Sequence, residues 1–138
     1  MRILLALALM VGLLAPAVGQ SGGMPWQATV TGQIEAFRAK DGAAALNFAG
    51  EAFRTQFEGR PEAFYMAIVG TGYGPVVESR SHSFGAFNKV SDTVVMQVVR
   101  LVGPDQALYE ALYQLGNEPG EGWRVLGVAL RKAAGVGI

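Results

Sequence analysis

The chain has a single histidine, His82, and no cysteine. A zinc or iron–sulfur site needs several imidazole, thiolate or carboxylate ligands together, so this inventory predicts no metal and no cofactor. His82 could serve as a general base if it faced a cavity. On the alternating stretch around it, beside Arg80 and Phe84, a half-exposed strand residue is the simpler expectation. Asp41 could act as an acid or base alongside tyrosines. It stands directly before GAAALNFA, however, where its carboxylate can accept the exposed amides of a helix. Ser79, Ser81 and Ser83 lack the glycine elbow and the histidine partner of a nucleophile motif. GTGYG, residues 70–74, has the glycines of a phosphate loop without its lysine or its preceding strand, and reads as a helix terminator. The remaining candidates are aromatic. Trp26, Phe37, Tyr65, Tyr73, Tyr109, Tyr113 and Trp123 could line a pocket for a small apolar ligand, or could simply fill a core.

These side chains need elements to hold them. Pro25 suits the first turn of a helix because it has no amide proton to leave unpaired. Trp26, Val30, Ile34 and Phe37 then recur at spacings of four, four and three, which predicts one apolar helix face running to about Lys40. Asp41 caps a second short helix over residues 42–49, and Gly50 ends it. EAFRTQF, residues 51–57, adds a turn or two. Pro61 opens a further helix carrying Phe64, Tyr65, Ile68 and Val69. TGYGPV, residues 71–76, closes the helical half, since its glycines and proline oppose continuation.

Beyond that point the apolar period changes to two. VVESRSHSFGAF, residues 76–87, predicts a half-exposed edge strand, and DTVVMQVVRLV, residues 92–102, a central strand that is apolar on both faces. Arg100, if it pointed inward there, would need an acidic partner, for which Glu110 is the candidate. Gly103-Pro104-Asp105-Gln106 forms a turn. ALYEALYQLG, residues 107–116, satisfies both a helical and a strand period; the turns on either side favour a hairpin strand. GEGWRVLGVAL, residues 120–130, supplies the last strand, with the Trp123 indole against Trp26, Val30 or Phe37 and Arg124 towards water. Gly127 permits a bulge, at which the apolar residues would change face. Without one, Leu126, Val128 and Leu130 would form an outer apolar stripe needing a covering helix or a second subunit.

The chain begins MRILLALALMVGLLAPAVGQ: one positive charge, an apolar run, then small residues around Pro16. That is the three-part form of a secretory signal peptide, cleaved after Gly19 or, in the alternative, after Ala17. The run meets Pro16 and Gly19 before it is long enough to span a bilayer. Export, with a periplasmic location and no membrane attachment after cleavage, is the expectation. Removing Arg2 from 11 basic and 11 acidic residues leaves a net charge of −1. A nearly neutral domain has no electrostatic hold on nucleic acid. Without cysteine, the exported domain depends on its core alone.

Three separated segments, QIEAFRAKDGAAALNFA, FYMAIVGTGYGPV and GWRVLGVAL, resemble in order a bacterial family known as domain of unknown function 4864. The resemblance covers about residues 27–131, and that family is similar to the cone-shaped folds named after nuclear transport factor 2, also called cystatin-like. It implies an α+β fold in which N-terminal helices pack in the concave face of a curved four-stranded antiparallel sheet, and so a strand over residues 107–116. One departure is Lys40, where the family pattern suggests an acid beside Asp41; this argues against a carboxylate pair there. The expected organisation is a signal peptide at 1–19, a linker at 20–25, the cystatin-like domain at 26–132 and a flexible tail at 133–138. With no catalytic constellation in sight, the leading expectation is a non-catalytic domain that binds a small apolar ligand or a protein partner. The alternatives are a cavity enzyme of the isomerase or dehydratase type and a structural homodimer formed through the outer face of the sheet.

Overall fold

Trp26, Val30, Ile34 and Phe37 lie on the buried face of helix α1 (Pro25–Arg38), as their spacing predicts. The computed structural model describes residues 23–133. The signal peptide at 1–19, residues 20–22 of the linker and residues 134–138 of the tail lie outside the described residues. Pro25 belongs to the first turn of α1 rather than to the linker. The helix stops two residues short of Lys40, which takes a left-handed φ of +58°. The amides of Lys40 and Asp41 donate back to Phe37 O and Ala36 O, each at 2.9 Å, closing the helix with the paired hydrogen bonds of a Schellman ending. Asp41 then starts α2 (Gly42–Asn47), its Oδ1 accepting the Ala44 amide at 3.0 Å. Both α3 (Glu51–Gln56) and α4 (Pro61–Ile68) form where the proline, glycine and apolar signals place them.

Two boundaries differ from the expectation. Helix α2 ends at Asn47 because Phe48 and Gly50 pair with the last strand: the Val125 amide donates to Phe48 O at 2.8 Å and the Gly50 amide to Val125 O at 2.9 Å. At the end of α4 a wide helical turn, Val69–Tyr73, breaks at Gly72, where φ is +100°. The helix resumes there instead of giving way to a strand, because Pro75 fits the opening turn of α5 (Gly74–Val77). Val76 and Val77 are therefore buried helix residues, and the first strand starts at Ser81.

The sheet comprises β1 (Ser81–Lys89), β2 (Val94–Val102), β3 (Leu108–Glu118) and β4 (Gly122–Lys132), antiparallel and in the order β1-β2-β3-β4. Residues 108–116 thus resolve as strand, as the flanking turns favour. The edge strands β1 and β4 would stand about 14 Å apart across a flat sheet at ~4.8 Å per strand. Yet the Trp26 ring lies 4.9 Å from Phe87 of β1 and 5.4 Å from Trp123 of β4, so the sheet curls around one indole of α1. This is the concave α+β arrangement expected from the sequence.

Two bulges produce the inner face. In β1, Phe84 faces Val99 and Phe87 faces Gln97, which leaves Gly85 and Ala86 together opposite Val98. In β4, Val125 faces Leu115 and Gly127 faces Gln114, so Leu126 is the extra residue, one position before the glycine expected to mark it. A residue without a partner shifts the alternation by one. Val125, Val128 and Leu130 consequently share the inner face, opposite Leu115, Tyr113 and Ala111. The outer stripe of Leu126, Val128 and Leu130 does not form. A Cβ on Gly50 or on Gly116 would come within 2.8 Å of a Leu126 methyl, so both glycines leave room for the bulged side chain.

Arg100 stands on the outer face at 59% side-chain exposure instead of pointing inward, though Glu110 is its partner at 4.0 Å. Arg124 is only 23% exposed, contrary to the expectation that it reaches water. It pairs with Glu121 at 3.4 Å and donates to Trp123 O at 3.0 Å.

Candidate functional site

Helices α1, α3 and α4 and the inner face of β3 and β4 do not close on one another completely. A cavity of about 300 Å³ remains between them. Its floor is the sheet, through Tyr113, Val125 and Val128; its helical walls carry Phe37, Phe53, Phe57 and Phe64. Phe64 is the hub of those walls, with ring centres 6.0 Å from Phe37, 6.2 Å from Phe53 and 5.5 Å from Phe57. The local reasons are simple. Phe53 and Phe57, four residues apart, emerge on one side of α3 and the turn after it, while Phe64 and Ile68 do the same on α4. The segment Phe48–Gly50, tied to β4 at its bulge, holds α3 over the sheet. An ion pair at 3.5 Å between Arg54 and Glu118 secures the same junction.

Five side chains lining this space carry polar groups: Gln33, Gln56, Thr71, Tyr73 and Tyr113, of which Gln56 and Thr71 are exposed at its rim. Gln33 donates through Nε2 to Ala45 O at 3.0 Å, joining α1 to α2. Thr71 donates to Ala67 O at 2.8 Å. Tyr73 donates to Val128 O at 2.7 Å, binding the turn after α4 to β4. Tyr113, 1% exposed on the inner face of β3, differs from these. None of the hydrogen bonds among the described residues uses its hydroxyl, and burial pushes the phenol far above its ordinary pKa. It is a neutral donor at any physiological pH. Among the described residues, no aspartate, glutamate, lysine, arginine or histidine lines the cavity.

Of the seven aromatic candidates, Phe37, Tyr73 and Tyr113 meet at the cavity. Tyr65 lies behind Phe37, ring centres 6.3 Å apart, and is not part of the lining. Trp26 and Trp123 pack edge to face on each other at the other end of α1. Tyr109 sits at the far end of β3, where its hydroxyl donates to Asp105 at 3.0 Å, raising the phenol pKa. The sequence reading overlooked Phe53, Phe57 and Phe64 as lining residues. Their spacing on two short helices was the available signal, but it marks a buried face and not a space beside it.

Gln97 was also unforeseen. It is wholly buried on β2, accepts from the Trp26 indole at 2.8 Å and from Gln27 at 3.1 Å, and donates to the β1 bulge carbonyls of Gly85 at 3.0 Å and Ala86 at 3.3 Å. The bulge removes those carbonyls from the strand ladder, and Gln97 replaces the lost donors.

His82 lies outside this cavity, half-buried between β1 and α1, and lines a second, open one of about 350 Å³ with Tyr109, Arg100 and Glu110. Its Nε2 is 3.1 Å from Thr31 Oγ1, and its Nδ1 is 3.4 Å from Arg38 Nη2. An arginine can only donate, so the neutral imidazole carries its proton on Nε2 and donates to the threonine. Burial lowers its pKa, the nearby Arg38 charge lowers it further, and Glu35 opposes them. Asp41 caps α2 and does not line the cavity. Ser79 is buried after α5 and accepts from Arg38 at 3.1 Å.

A family model described as a domain of unknown function (DUF4864) matches residues 23–138. All three segments that carry the resemblance fall within that span. No curated protein and no solved structure matches the chain.

Proposed function

The chain belongs to the DUF4864 family, and from that premise we propose that it is an exported, non-catalytic domain that binds a small apolar molecule in the cavity between its helices and its sheet. The observation carrying this reading is the cavity itself: about 300 Å³, phenylalanine-walled and without a charged group in its lining. Ligand sites in proteins are typically concave, largely apolar and supplied with a few polar groups, and ~300 Å³ is at the small end of their range. Isomerase or dehydratase chemistry would need a base within reach of the substrate as well as a hydrogen-bond donor. Tyr113 is a buried donor with a strongly raised pKa, but the two residues weighed as bases, His82 and Asp41, lie elsewhere. A donor without a base supports binding over turnover. Export rests on the tripartite N-terminus; no helix among the described residues is long and apolar enough to cross a membrane.

The binding test is an NMR titration with ethylbenzene. Shift changes concentrated at Phe53, Phe64, Tyr113 and Val128, and absent from Val128→Phe, are expected. A protein whose spectrum does not respond to ethylbenzene would sink the proposal. Mass spectrometry of material secreted by an expressing bacterium tests export, with loss of residues 1–19 or 1–17 as the expected result.

A structural homodimer is favoured by one observation, the exposure of Leu108 and Leu112 on the outer face of β3 at 47% and 39%. It predicts a doubled mass in light scattering that Leu112→Lys halves, and a monomeric wild type removes it.

A further inference from the structure

We infer that the ligand is an uncharged, mainly hydrocarbon molecule with one oxygen acceptor, such as a ketone or ester carbonyl, held by a hydrogen bond from the Tyr113 hydroxyl. This rests on the cavity-binding reading above and specifies the chemistry of the same site.

The argument starts from the protons. Thr71 and Tyr73 line the cavity, but both hydroxyl protons are already committed, to Ala67 O at 2.8 Å and Val128 O at 2.7 Å. Each can therefore only accept from a ligand. Gln33 has one amide proton engaged by Ala45 O, and Gln56 carries its amide at the exposed rim, so neither is a buried hydroxyl aligned with the floor. Tyr113 is the buried hydroxyl whose proton has no acceptor among the described residues. An acceptor placed beside it exchanges a hydrogen bond to water for one inside the protein and is favoured by the cavity as built. The position of Tyr113 is fixed from below: it sits on the inner face of β3, paired in register with Gln97 on β2 and Val128 on β4. A donor on a central strand does not have to be immobilised when the ligand arrives.

Charge narrows the class further. A carboxylate or phosphate buried among phenylalanines needs a cation or a set of amide donors, and the lining supplies no lysine, arginine or histidine. An ammonium would need a carboxylate, and none lines the space. Polyols are disfavoured because their several hydroxyls would leave water for walls made of Phe37, Phe53, Phe57 and Phe64. A neutral molecule with a single acceptor satisfies Tyr113 and leaves the rest of its surface to the aromatic walls.

Three probes of nearly one shape separate these terms: acetophenone has the carbonyl, ethylbenzene lacks it, and benzoate replaces it with a charge. By calorimetry or NMR titration with the full-length mature protein, acetophenone is expected to bind about 3- to 10-fold more tightly than ethylbenzene, the factor for one net hydrogen bond. Benzoate is expected not to bind. Tyr113→Phe should abolish the preference, bringing acetophenone and ethylbenzene to a common affinity. Since that variant alters a buried residue, the infrared carbonyl stretch of acetophenone bound to the wild type gives a second reading, shifted to lower frequency by the hydrogen bond. Equal affinity for acetophenone and ethylbenzene, an unshifted carbonyl band, or benzoate as the tightest of the three overturns the inference while the cavity reading stands. Failure of both neutral probes overturns the two together.

Discussion

Two aromatic regions lie along helix α1, and they end in opposite states. At its N-terminal end Trp26, Trp123 and Phe87 pack edge to face, with the Trp26 indole 2% exposed and its N–H satisfied by Gln97. Towards its C-terminal end Phe37, Phe53, Phe57, Phe64 and Tyr113 border about 300 Å³ that they do not fill. Both regions are aromatic, centred on buried rings of α1 and set against the same sheet. They differ in how their parts are joined. The first is one face of one helix inside a curled sheet, with a buried amide tying indole and bulge together. The second is assembled from three helices, at least two of them short, so its walls meet at angles set by capping and loop hydrogen bonds. Aromatic content alone therefore does not distinguish a filled core from a hollow one.

The contrast can be tested by substitution. Trp26→Ala should have the largest effect, a loss of about 3–5 kcal/mol in chemical denaturation, because it empties the centre around which the sheet curls. A cost below about 1 kcal/mol would mean that this region is as loosely filled as the other. Gln97→Leu follows, at about 2–3 kcal/mol, since the indole N–H and the carbonyls of Gly85 and Ala86 lose their partner together. Hydrogen exchange should show the β1 bulge opening first.

Adding bulk sharpens the same comparison. Val99→Phe, in the closed region, should cost about 1–3 kcal/mol, whereas Val128→Phe, beside the cavity, should stay within about 1 kcal/mol of wild type and weaken ethylbenzene binding tenfold or more. If the two were equally costly, the cavity would not be a space the protein tolerates filling.

The smallest effect is one of pH, at the contact between α1 and β1. Folded His82 binds its proton less readily than the unfolded chain, whose imidazole titrates near ~6.5. The unfolded state therefore takes up more protons as the pH falls, and stability declines from about pH 6.5 down through the lower folded value, then levels off. Above that range His82 contributes no slope. The imidazole is about half exposed, so the change is small. His82→Gln, which can still reach Thr31, should flatten denaturation midpoints measured across this interval.

Much of the architecture could be read in advance. Proline at 25 and 61, the cap at Asp41 and the four-residue spacing on α1 act within a turn or two of the chain, so their meaning does not depend on distant residues. The change of period after Gly74 separated helices from strands for the same reason. Local signals mislead where distant parts of the chain intervene. Residues 76 and 77 alternate like a strand but are taken into α5, and α2 loses its last turn to pairing with β4. Arg124 was assigned to water because charged residues usually go there, whereas Glu121 and the Trp123 carbonyl hold it against the sheet. The site was only partly legible. Phe37, Tyr73 and Tyr113 were named among the candidates, but so were Trp26 and Trp123, which close on each other.

By itself the sequence determined the order of elements, the α+β class, the lack of thiols and the single imidazole, because local period, capping and composition belong to the chain before it folds. Tertiary structure decided the phase of β1 and β4 on either side of their bulges, the satisfaction of those bulges and the enclosure of a cavity by one group of aromatics. Such a hollow is what remains between side chains brought from positions as far apart as 37 and 128, and no short stretch of sequence contains that distance.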